Sequence, residues 1–254
     1  MNYRKITALF LCLFAASWVS AQNKSQIIAH RGYWNTESSS QNSLKSLKLA
    51  HDIQAYGSEF DVHLTADNVL VVFHDDRIDG RRIQDLNYAD LKKMRLLNGE
   101  KLPTLEAYLK KAQKLDGLKL IFELKVHATP ERNREAANRS VELVKRMGLA
   151  DRTEYISFSL DACKEFIRLS SRTPVFYLNG ELSPVQLKEL GFAGLDYNIG
   201  VMKKHPEWFS ETKKLGLKTN VWTANDPALI KELMDMGADF ITTDIPVEAL
   251  QIVK

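Results

Sequence analysis

Short apolar segments alternate with amphipathic segments of helical length along most of this chain, and this alternation is the feature that most limits its fold. Strands are predicted at residues 26–29, within a hairpin at 59–74, and at 118–126, 155–159, 175–178, 194–198, 218–223 and 240–244. Helices are predicted at residues 42–51, 104–114, 130–147, 161–169, 183–190, 206–215, 226–236 and 246–253. About eight strand-then-helix units predict a closed parallel barrel wrapped by helices, the α/β fold called the (β/α)8 TIM barrel.

The main alternative architecture is an open doubly wound sheet, which shows the same alternation. Such a sheet normally carries a glycine-rich phosphate loop after its first strand, and the residues that follow Ala29 do not form one. The length of 254 residues suits one barrel. A hydrophobic content of 44% and a charged content of 26% are typical of a globular domain with a sizeable core.

Residues 1–21 have the pattern of a cleaved secretory signal peptide. Arg4 and Lys5 precede an apolar run over residues 6–19, which ends in small residues. A retained membrane anchor is the alternative, but this run is shorter than the roughly 20 residues that a spanning helix needs. We therefore expect a single domain over residues 22–254 that is exported, to the periplasm or outside the cell, without stable membrane insertion.

The charge balance and the cysteines limit the partners and the redox chemistry of the exported chain. Without Arg4 and Lys5, the balance changes from 35 basic against 32 acidic residues to 33 against 32, and the net charge falls from +3 to +1. A nearly neutral chain does not indicate nucleic-acid binding. Cys12 would leave with the signal, so Cys163 would have no partner, and we expect a domain that is stable without an internal disulfide.

The stretch from Gly57 to Asp76 concentrates polar residues that are typical of an active site. Glu59, Asp61 and His63 alternate with apolar residues, so a strand here places the three polar side chains on one face. The two carboxylates are then about 7 Å apart along the strand, a spacing at which a shared divalent cation offsets their repulsion. A turn and a second apolar run then return the chain toward those acids at His74.

In a parallel barrel, active-site residues come from the carboxyl ends of the strands. The predicted ends carry many polar or aromatic side chains: His30, Arg31, Glu59, Asp61, Glu123, Lys125, Ser157, Ser159, Asn198, Trp222 and Asp244. Glu59, Asp61 and Glu123 form a set of oxygen ligands, which favours one divalent cation, Ca²⁺ or Mg²⁺, over zinc. The alternative is a metal-free salt-bridge network with Arg31 and Lys125, although three acids exceed what two bases neutralise.

His30 and His74 both end strands beside this acidic cluster. Because the pKa of histidine lies near neutral pH, the pair can act as general base and general acid on a phosphate ester, while a structural hydrogen-bonded role is the alternative for each. His63 either lines the rim of the site or has a structural role. Trp222 either presents an aromatic wall to the substrate or fills the barrel interior. The other histidines, His51, His127 and His205, are expected to be solvated.

Several short motifs follow one another along the chain: His30-Arg31-Gly32, Glu59-x-Asp61, His74-Asp75, Glu123-Leu124-Lys125, Trp222-Thr223-Ala224-Asn225-Asp226-Pro227 and Thr242-Thr243-Asp244-Ile245-Pro246. In this order and spacing they resemble the glycerophosphodiester phosphodiesterase family, over essentially all of residues 22–254. The resemblance implies a metal-dependent (β/α)8 barrel. Such a barrel cleaves glycerophosphodiesters, which are small molecules, into glycerol 3-phosphate and an alcohol.

The resemblance also implies a role for each candidate residue and a short insertion at residues 75–103, after the second strand. It assigns metal binding to Glu59, Asp61 and Glu123, acid–base catalysis to His30 and His74, and substrate or phosphate binding to Arg31, Lys125, Trp222 and Asn42. One position departs from the family pattern. Where the family usually has Pro-Glu-Asn-Thr, this chain has Ser40-Gln41-Asn42-Ser43, so Gln41 replaces a charged side chain with a neutral one. We expect this change to affect substrate preference and metal affinity more than the type of reaction.

Two other functions stay open at this level. One is a barrel that binds glycerophosphodiesters without hydrolysing them, although the retained histidines and acids argue against it. The other is a related two-histidine phosphodiesterase that cleaves intact lipids, which needs an exposed apolar rim to dock on a membrane. The loops are mostly polar, and Tyr33 and Trp34 form the conspicuous aromatic pair near the expected mouth of the barrel.

Overall fold

Strands and helices alternate through residues 24–253, the part of the chain that the computed structural model describes; the predicted signal peptide at residues 1–21 lies outside this range. The strands are β1 (Gln26–Ala29), β2 (Gly57–Leu64), β3 (Leu70–Val72), β4 (Arg77–Ile78), β5 (Arg81–Arg82), β6 (Lys119–Leu124), β7 (Thr153–Ser157), β8 (Val175–Tyr177), β9 (Gly194–Asn198), β10 (Lys218–Trp222) and β11 (Phe240–Thr243). The helices are α1 (Leu44–Asp52), α2 (Tyr88–Leu91), α3 (Leu105–Ala112), α4 (Pro130–Arg146), α5 (Leu160–Leu169), α6 (Pro184–Glu189), α7 (Ile199–Lys204), α8 (Trp208–Leu215), α9 (Pro227–Asp235) and α10 (Pro246–Ile252). Within residues 24–253, no helix is both long enough and apolar enough to cross a membrane.

The parallel strands close into a barrel. They pair in the order β1-β11-β10-β9-β8-β7-β6-β2, and a further pairing of β1 with β2 completes the ring. Ile28 of β1, for example, lies opposite Thr242 of β11 on one side and opposite Gly57 of β2 on the other. This closure confirms the predicted (β/α)8 barrel and excludes the open doubly wound sheet.

Alternating side chains on each strand separate the core from the barrel interior. On β2, Phe60, Val62 and Leu64 join the main apolar core that the surrounding helices cover. The residues that alternate with them, Glu59, Asp61 and His63, therefore face inward. Inward-facing apolar residues form a second, smaller cluster with the members Ile28, Ile121, Ile156, Phe176, Leu178 and Phe240.

Local turn chemistry sets the ends of the helices. The predicted cap Thr104 accepts a hydrogen bond from Ala107 N in the first turn of α3, and Ser43 does the same for Ser46 N in α1. Gly216 follows α8 with φ 69° and ψ 25°, the left-handed conformation predicted for a glycine at the end of a helix.

A hairpin and an insertion extend the second barrel strand. Strand β3 runs antiparallel to β2 with Val72 opposite Val62, as the sequence predicts. Residues 75–103 then form a short excursion that contains the β4–β5 hairpin and α2. The excursion packs on its own apolar cluster, whose buried members are Val71, Ile83, Leu86, Leu91, Leu96 and Leu102. The predicted insertion after the second strand is thus confirmed.

The elements of the structure differ locally from the predicted ones. Strand β7 begins at Thr153, two residues before the predicted start at Tyr155, because Thr153 and Glu154 already pair with β6. Helix α7 was not predicted. It begins after Asn198, whose side chain accepts a hydrogen bond from Gly200 N.

The prediction that His127 is solvated is wrong. The residue is 4% exposed, and its Nε2 accepts a hydrogen bond from Leu64 N at 3.0 Å. Its own backbone N–H donates to Asn133 Oδ1 at 2.8 Å. Residues of the loop between β6 and α4 thus cover the end of β2, a tertiary contact that no sequence periodicity indicates.

Candidate active site

A cavity of about 240 Å³, here called the inner cavity, opens at the carboxyl ends of the barrel strands. It is lined by His30, Arg31, Glu59, His74, Glu123, Lys125, Ile156, Phe158, Leu178, Asp196, Trp222, Thr223 and Thr242. Seven of the nine residues assigned from the sequence are in this lining. The other two, Asp61 and Asn42, are buried, and Asp61 contacts the lining residue Lys125.

His30 is fixed at the end of β1 by Asp244, which follows β11. Nδ1 of His30 lies 2.8 Å from Oδ1 of Asp244, and the same carboxylate accepts hydrogen bonds from Trp34 Nε1 at 3.0 Å and Asn225 Nδ2 at 2.7 Å. Burial raises the pKa of Asp244, but the hydrogen bond and charge of His30, with the other donors, lower it overall to about 2. Asp244 is therefore a carboxylate that accepts the Nδ1–H of His30 and leaves Nε2 as the free ring nitrogen.

The turn after β1 directs Arg31 toward the acids. Arg31 and Gly32 have φ values of 55° and 78°, and a Cβ on Gly32 would lie 2.6 Å from Oγ of Ser46, so only glycine fits here. The backbone N–H of Arg31 donates to Glu59 Oε2 at 2.7 Å, and its guanidinium donates to Gln41 Oε1 at 2.7 Å. Gln41 thus holds Arg31 through a neutral oxygen.

Glu59, Asp61 and Glu123 each place one carboxylate oxygen within 4.8 Å of the others. Strand register brings them together, because Asp61 of β2 lies opposite Glu123 of β6 and Glu59 lies two residues earlier on the same face. All three are buried. Burial, followed by repulsion from Asp61 and Glu123, raises the pKa of Glu59 well above its ordinary value, and burial also raises the pKa of Glu123. The folded chain therefore resists the simultaneous ionisation of all three groups.

Of the three carboxylates, Asp61 is the one whose ionised form is best stabilised by its neighbours. Burial raises its pKa, but the nearby ammonium of Lys125, 3.3 Å from Oδ1, and other donors outweigh burial and lower the pKa overall. Asn42 donates to Oδ2 of Asp61 at 2.8 Å and accepts from its backbone N–H at 3.0 Å. Asn42 is 1% exposed. The structure thus places Asn42 as the group that orients Asp61, and its direct contact with substrate stays a prediction.

The three carboxylates fit a hard divalent cation. Oε1 of Glu59 is buried without a hydrogen-bonding partner among residues 24–253, and an unpaired buried oxygen costs free energy unless something binds it. The donor set consists of oxygen only, which Ca²⁺ and Mg²⁺ prefer. Lys125 and Arg31 bring two positive charges against three carboxylates, so a cation would complete the balance. Glu59, Asp61 and Glu123 could therefore hold one divalent metal ion.

His74 joins His30 in the lining of the inner cavity. It follows β3, and the N–H of its neighbour Phe73 donates to the carbonyl oxygen of Asp61 at 3.0 Å. Nδ1 of His74 lies 2.7 Å from Oδ1 of Asp75. Burial lowers the pKa of His74 despite the nearby charge of Asp61. The ring is thus neutral around pH 7 and able to exchange a proton with a bound ligand.

Trp222 forms an apolar wall of the inner cavity, as one of its two predicted roles requires. Its ring meets Phe158 edge to face, with ring centroids 5.7 Å apart. Its Nε1 donates to the carbonyl oxygen of Asp196 at 2.9 Å, which fixes the orientation of the ring.

Asp196 is a lining residue that sequence reasoning missed. It is 2% exposed, and burial raises its pKa to about 8, so the carboxyl is mostly protonated at neutral pH. Leu195 and Tyr197 on either side of it belong to the main core. An acid between two core residues of a strand is the signal that would have placed Asp196 on the inner face.

Other strand-end residues from the prediction have local structural contacts instead. Oγ of Ser157 donates to the carbonyl oxygen of Leu124, Ser159 caps α5, and Asn198 caps α7. His63 is 3% exposed, and burial lowers its pKa to about 3, so it is a neutral interior histidine. Of its two predicted roles, the structure favours the structural one.

A larger cavity of about 640 Å³, here called the outer cavity, adjoins the inner cavity at His74, which lines both. It is lined by Trp34, Asn35, Thr36, Glu37, Ser39, Ser40, Gln41, Asn42, Phe73, His74, Asp75, Met94, Arg95, Leu96 and Leu97. One wall is the loop that follows β1, and the other is part of the insertion. Tyr33, which the sequence grouped with Trp34, packs against the small cluster of Ala29, Ala50 and Ala55.

Similarity to known proteins agrees with this geometry. The family model described as the glycerophosphoryl diester phosphodiesterase family matches residues 30–248. The crystal structure of a glycerophosphodiester phosphodiesterase from Parabacteroides distasonis ATCC 8503 is 62% identical, with a TM-score of 0.90 over 91% of this chain and 98% of that one. The protein YhdW of Bacillus subtilis strain 168, provisionally named a glycerophosphodiester phosphodiesterase, is 30% identical over 87% of this chain and 94% of its own length.

A third relative was solved with a ligand. It is an Oleispira antarctica phosphodiesterase in complex with the product sn-glycerol-3-phosphate, 26% identical, with a TM-score of 0.78 over 91% of this chain and 97% of that one. The family match covers most of the chain. This chain therefore belongs to the glycerophosphoryl diester phosphodiesterase family and is a phosphoric diester hydrolase.

Proposed function

We propose that this protein uses a divalent cation and two histidines to hydrolyse glycerophosphodiesters to glycerol 3-phosphate and an alcohol. The observation that carries the proposal is the inner cavity, where His30 and His74 share one lining with Glu59 and Glu123 of the carboxylate cluster. The product bound in the Oleispira antarctica relative is the one that this reaction would release.

The charges of the site suit a phosphodiester. A Ca²⁺ or Mg²⁺ ion bound by Glu59, Asp61 and Glu123 would stabilise negative charge on the phosphoryl oxygens. Arg31 and Lys125 line the same cavity and would hold the phosphate. Burial lowers the pKa of Lys125, but the neighbouring carboxylates outweigh burial and raise it overall, so this ammonium stays charged. Trp222 offers its wall to the glycerol part of the substrate.

The proposed reaction has two steps. In the first, one histidine accepts the proton of the glycerol 2-hydroxyl as that oxygen bonds to phosphorus, the bond from phosphorus to the alcohol breaks, and the other histidine protonates the leaving oxygen. In the second, water attacks the cyclic phosphate and the histidines exchange roles, which reopens the ring to glycerol 3-phosphate. Rapid-quench experiments should trap the cyclic ester. Entry of solvent oxygen in the first step, with no cyclic species, would contradict this scheme.

A direct assay tests the activity. Release of glycerol 3-phosphate from glycerophosphocholine and glycerophosphoglycerol is measured in EDTA and after addition of Ca²⁺ or Mg²⁺. We expect loss of activity in EDTA, recovery with metal, and a fall in kcat of at least about 100-fold in His30→Ala and His74→Ala. His51→Ala, at the end of α1, is the matched control. A wild-type protein that binds these diesters but is inert with either metal would support the non-hydrolysing barrel instead.

We also propose that the enzyme is exported and acts in the periplasm or outside the cell. The support is the pattern of residues 1–21, with Arg4 and Lys5 before an apolar run and small residues at its end. Sequencing of the amino terminus of the protein recovered from its own cells, after fractionation, tests this directly. A mature chain that begins near Gln22 is the expected result, and a cytosolic chain that retains Met1 or Asn2 would contradict it.

A further inference from the structure

The inner cavity is small for a diester with a bulky alcohol. Its volume of about 240 Å³ is below the roughly 300–1,000 Å³ of typical small-molecule sites, and part of it adjoins the carboxylate cluster. The outer cavity of about 640 Å³ meets it at His74. A diester of a bulky alcohol, with its phosphate beside the carboxylates, can therefore extend that alcohol past His74 and into the outer cavity.

The lining of the outer cavity includes an apolar wall beside its polar side chains. Its apolar members are Trp34, Phe73, Met94, Leu96 and Leu97. Leu96 is anchored in the insertion's own core. The next residue, Leu97, is 101% exposed, and it is one of three large apolar residues exposed within residues 24–253, the others being Val126 and Val185. Of these three, Leu97 is the one at this cavity.

The aromatic part of this surface is fixed to the catalytic groups. Nε1 of Trp34 donates to Oδ1 of Asp244, the same oxygen that holds His30. The N–H of Phe73 donates to the carbonyl oxygen of Asp61. The ring of Trp34 and the backbone of Phe73 are therefore tied to residues of the inner site before substrate arrives, which lowers the entropy that a ligand would lose in ordering this wall.

The charges of the outer cavity are few and lie at its rim. Glu37, Asp75 and Arg95 are its charged members, and all three are exposed, so water and salt screen them. The carboxylate of Asp75 is already engaged with His74. At the junction of the cavities, Gln41 contributes a neutral side chain that is occupied by Arg31. These screened rim charges give the lining little selectivity for a charged alcohol.

We infer that the outer cavity binds the leaving alcohol and selects alcohols with a neutral apolar body of four or more carbons. The inference rests on the proposed hydrolase function and names its substrate class. The competing class is a quaternary ammonium alcohol, which aromatic rings and acids can also bind. In that case the exposed acids, rather than the apolar wall, would dominate recognition.

A set of four esters of sn-glycerol 3-phosphate separates these classes: methyl, n-butyl, 3,3-dimethylbutyl and choline. The dimethylbutyl group has the shape of choline without its charge. Release of glycerol 3-phosphate gives kcat/KM for each ester. We expect the butyl and dimethylbutyl esters to exceed the methyl ester by at least tenfold, because burial of each CH₂ group is worth up to about fourfold. We also expect the dimethylbutyl ester to equal or exceed choline.

Leu97→Ser tests the apolar wall itself. It should reduce the butyl-to-methyl ratio of kcat/KM by about threefold or more, the value of roughly one CH₂ contact. Val185→Ser, a half-exposed apolar residue of α6, is the matched control and should leave the ratio unchanged. Three results would overturn the inference: equal kcat/KM for all esters, a higher kcat/KM for the choline ester than for the dimethylbutyl ester, or an unchanged butyl-to-methyl ratio in Leu97→Ser. Release of glycerol 3-phosphate in any of these cases would still support the proposed function. No release from any ester would overturn both.

Discussion

Asp244 shows how one carboxylate can organise two functional surfaces. Oδ1 of Asp244 accepts from His30 and from Trp34, so a single oxygen fixes a histidine of the inner cavity and an aromatic ring of the outer cavity. Asn225 reinforces it, because Nδ2 of Asn225 donates to Oδ2 and Oδ1 of Asn225 accepts the backbone N–H of Asp244. Asp244 acts on the reaction through His30, which makes it a positioning residue.

Asp244→Asn tests this positioning role. The amide keeps the size of the side chain but removes the charge that accepts Nδ1–H, so the ring of His30 loses its fixed tautomer and orientation. We expect kcat to fall by about 10- to 100-fold, the usual loss for such supporting groups, with a smaller change in KM. Asp235→Asn, an exposed ion-pair partner of Lys231, is the control. A lower thermal midpoint with normal kcat in Asp244→Asn would show a structural role only.

Residue patterns predicted which side chains face the site better than they predicted what each one contacts. The alternation within β2 and β6 was enough to place Glu59, Asp61 and Glu123 together, because strand register follows from the barrel. Asp244 was visible at a strand end, but its partner His30 lies 214 residues earlier, and no local pattern encodes that pair. For the same reason the hydrogen bonds between Asn42 and Asp61 were not predicted.

At the scale of elements, one side chain of the insertion caps the amino terminus of a barrel helix. Oε2 and Oε1 of Glu100 accept from the N–H groups of Leu44 and Lys45, at 2.9 and 3.2 Å, while Ser43 accepts from the N–H of Ser46. These are first-turn donors of α1 that the helix itself leaves unpaired. Because α1 directly follows Gln41 and Asn42, the insertion and the site are joined through this helix end.

Replacement of Glu100 measures this connection. Glu100→Gln removes the negative charge that the helix amino terminus favours and weakens two charge-assisted hydrogen bonds, so we expect the free energy of unfolding to fall by about 1 kcal/mol. Glu106→Gln, in the exposed first turn of α3, is the matched control and should lower the free energy of unfolding by only a few tenths of a kcal/mol. Urea denaturation measures both. Equal losses in the two variants would mean that Glu100 acts only through its charge and not as a bridge.

The loop that carries His127 links β6 to the end of β2, and we expect the contribution of this histidine to folding stability to depend on pH. Burial, followed by the charge of Arg132, lowers the pKa of His127 to about 4 in the folded chain, against about 6.5 in an unfolded one. Below pH 6.5 the unfolded chain takes up a proton that the folded chain refuses, so this residue removes stability as the pH falls. Protonation would also destroy the Nε2 acceptor for Leu64 N.

His127→Gln should therefore flatten the acid side of the stability profile. Between pH 7.5 and 5, measured in EDTA, we expect the wild type to lose about 2 kcal/mol more unfolding free energy than the variant. Glutamine can still offer an oxygen to Leu64 N, so the variant should fold. His51→Gln at the end of α1 serves as the comparison. Parallel profiles for wild type and His127→Gln would show that the loop histidine does not carry this dependence.

At the scale of the whole molecule, the barrel could be predicted because each strand-then-helix unit has its own periodic signature. Closure then brings the strand ends together, which is why most of the inner cavity was foreseen. The outer cavity was not foreseen, because its walls are the loop after β1 and residues 94–97 of the insertion. Neither segment is periodic, and their relative position depends on contacts such as those of Trp34 and Glu100 rather than on a repeating pattern.

The closed barrel also concentrates negative charge. Register between β2 and β6 holds three buried carboxylates together, and Glu59 has its pKa raised by burial and by the other two acids. A carboxyl whose pKa is higher in the folded than in the unfolded chain removes stability as the pH rises above its unfolded pKa. Ionisation of Glu59 therefore opposes folding of the metal-free protein as the pH rises, and a bound divalent cation would relieve this repulsion.

Glu59→Gln makes this coupling between metal and stability measurable. In EDTA at pH 8, the variant should unfold at the same temperature as the wild type or higher, because it lacks the buried carboxyl whose ionisation opposes folding. Ca²⁺ at about 100 times its Kd should stabilise the wild type by about 2.7 kcal/mol, a rise of roughly 5–10 °C for a domain of this size, and should shift Glu59→Gln far less. Glu142→Gln, exposed on α4, should respond to Ca²⁺ as the wild type does. A wild type with one thermal midpoint in EDTA, Ca²⁺ and Mg²⁺ would contradict the metal site, because a cation that binds only the folded barrel must raise its stability.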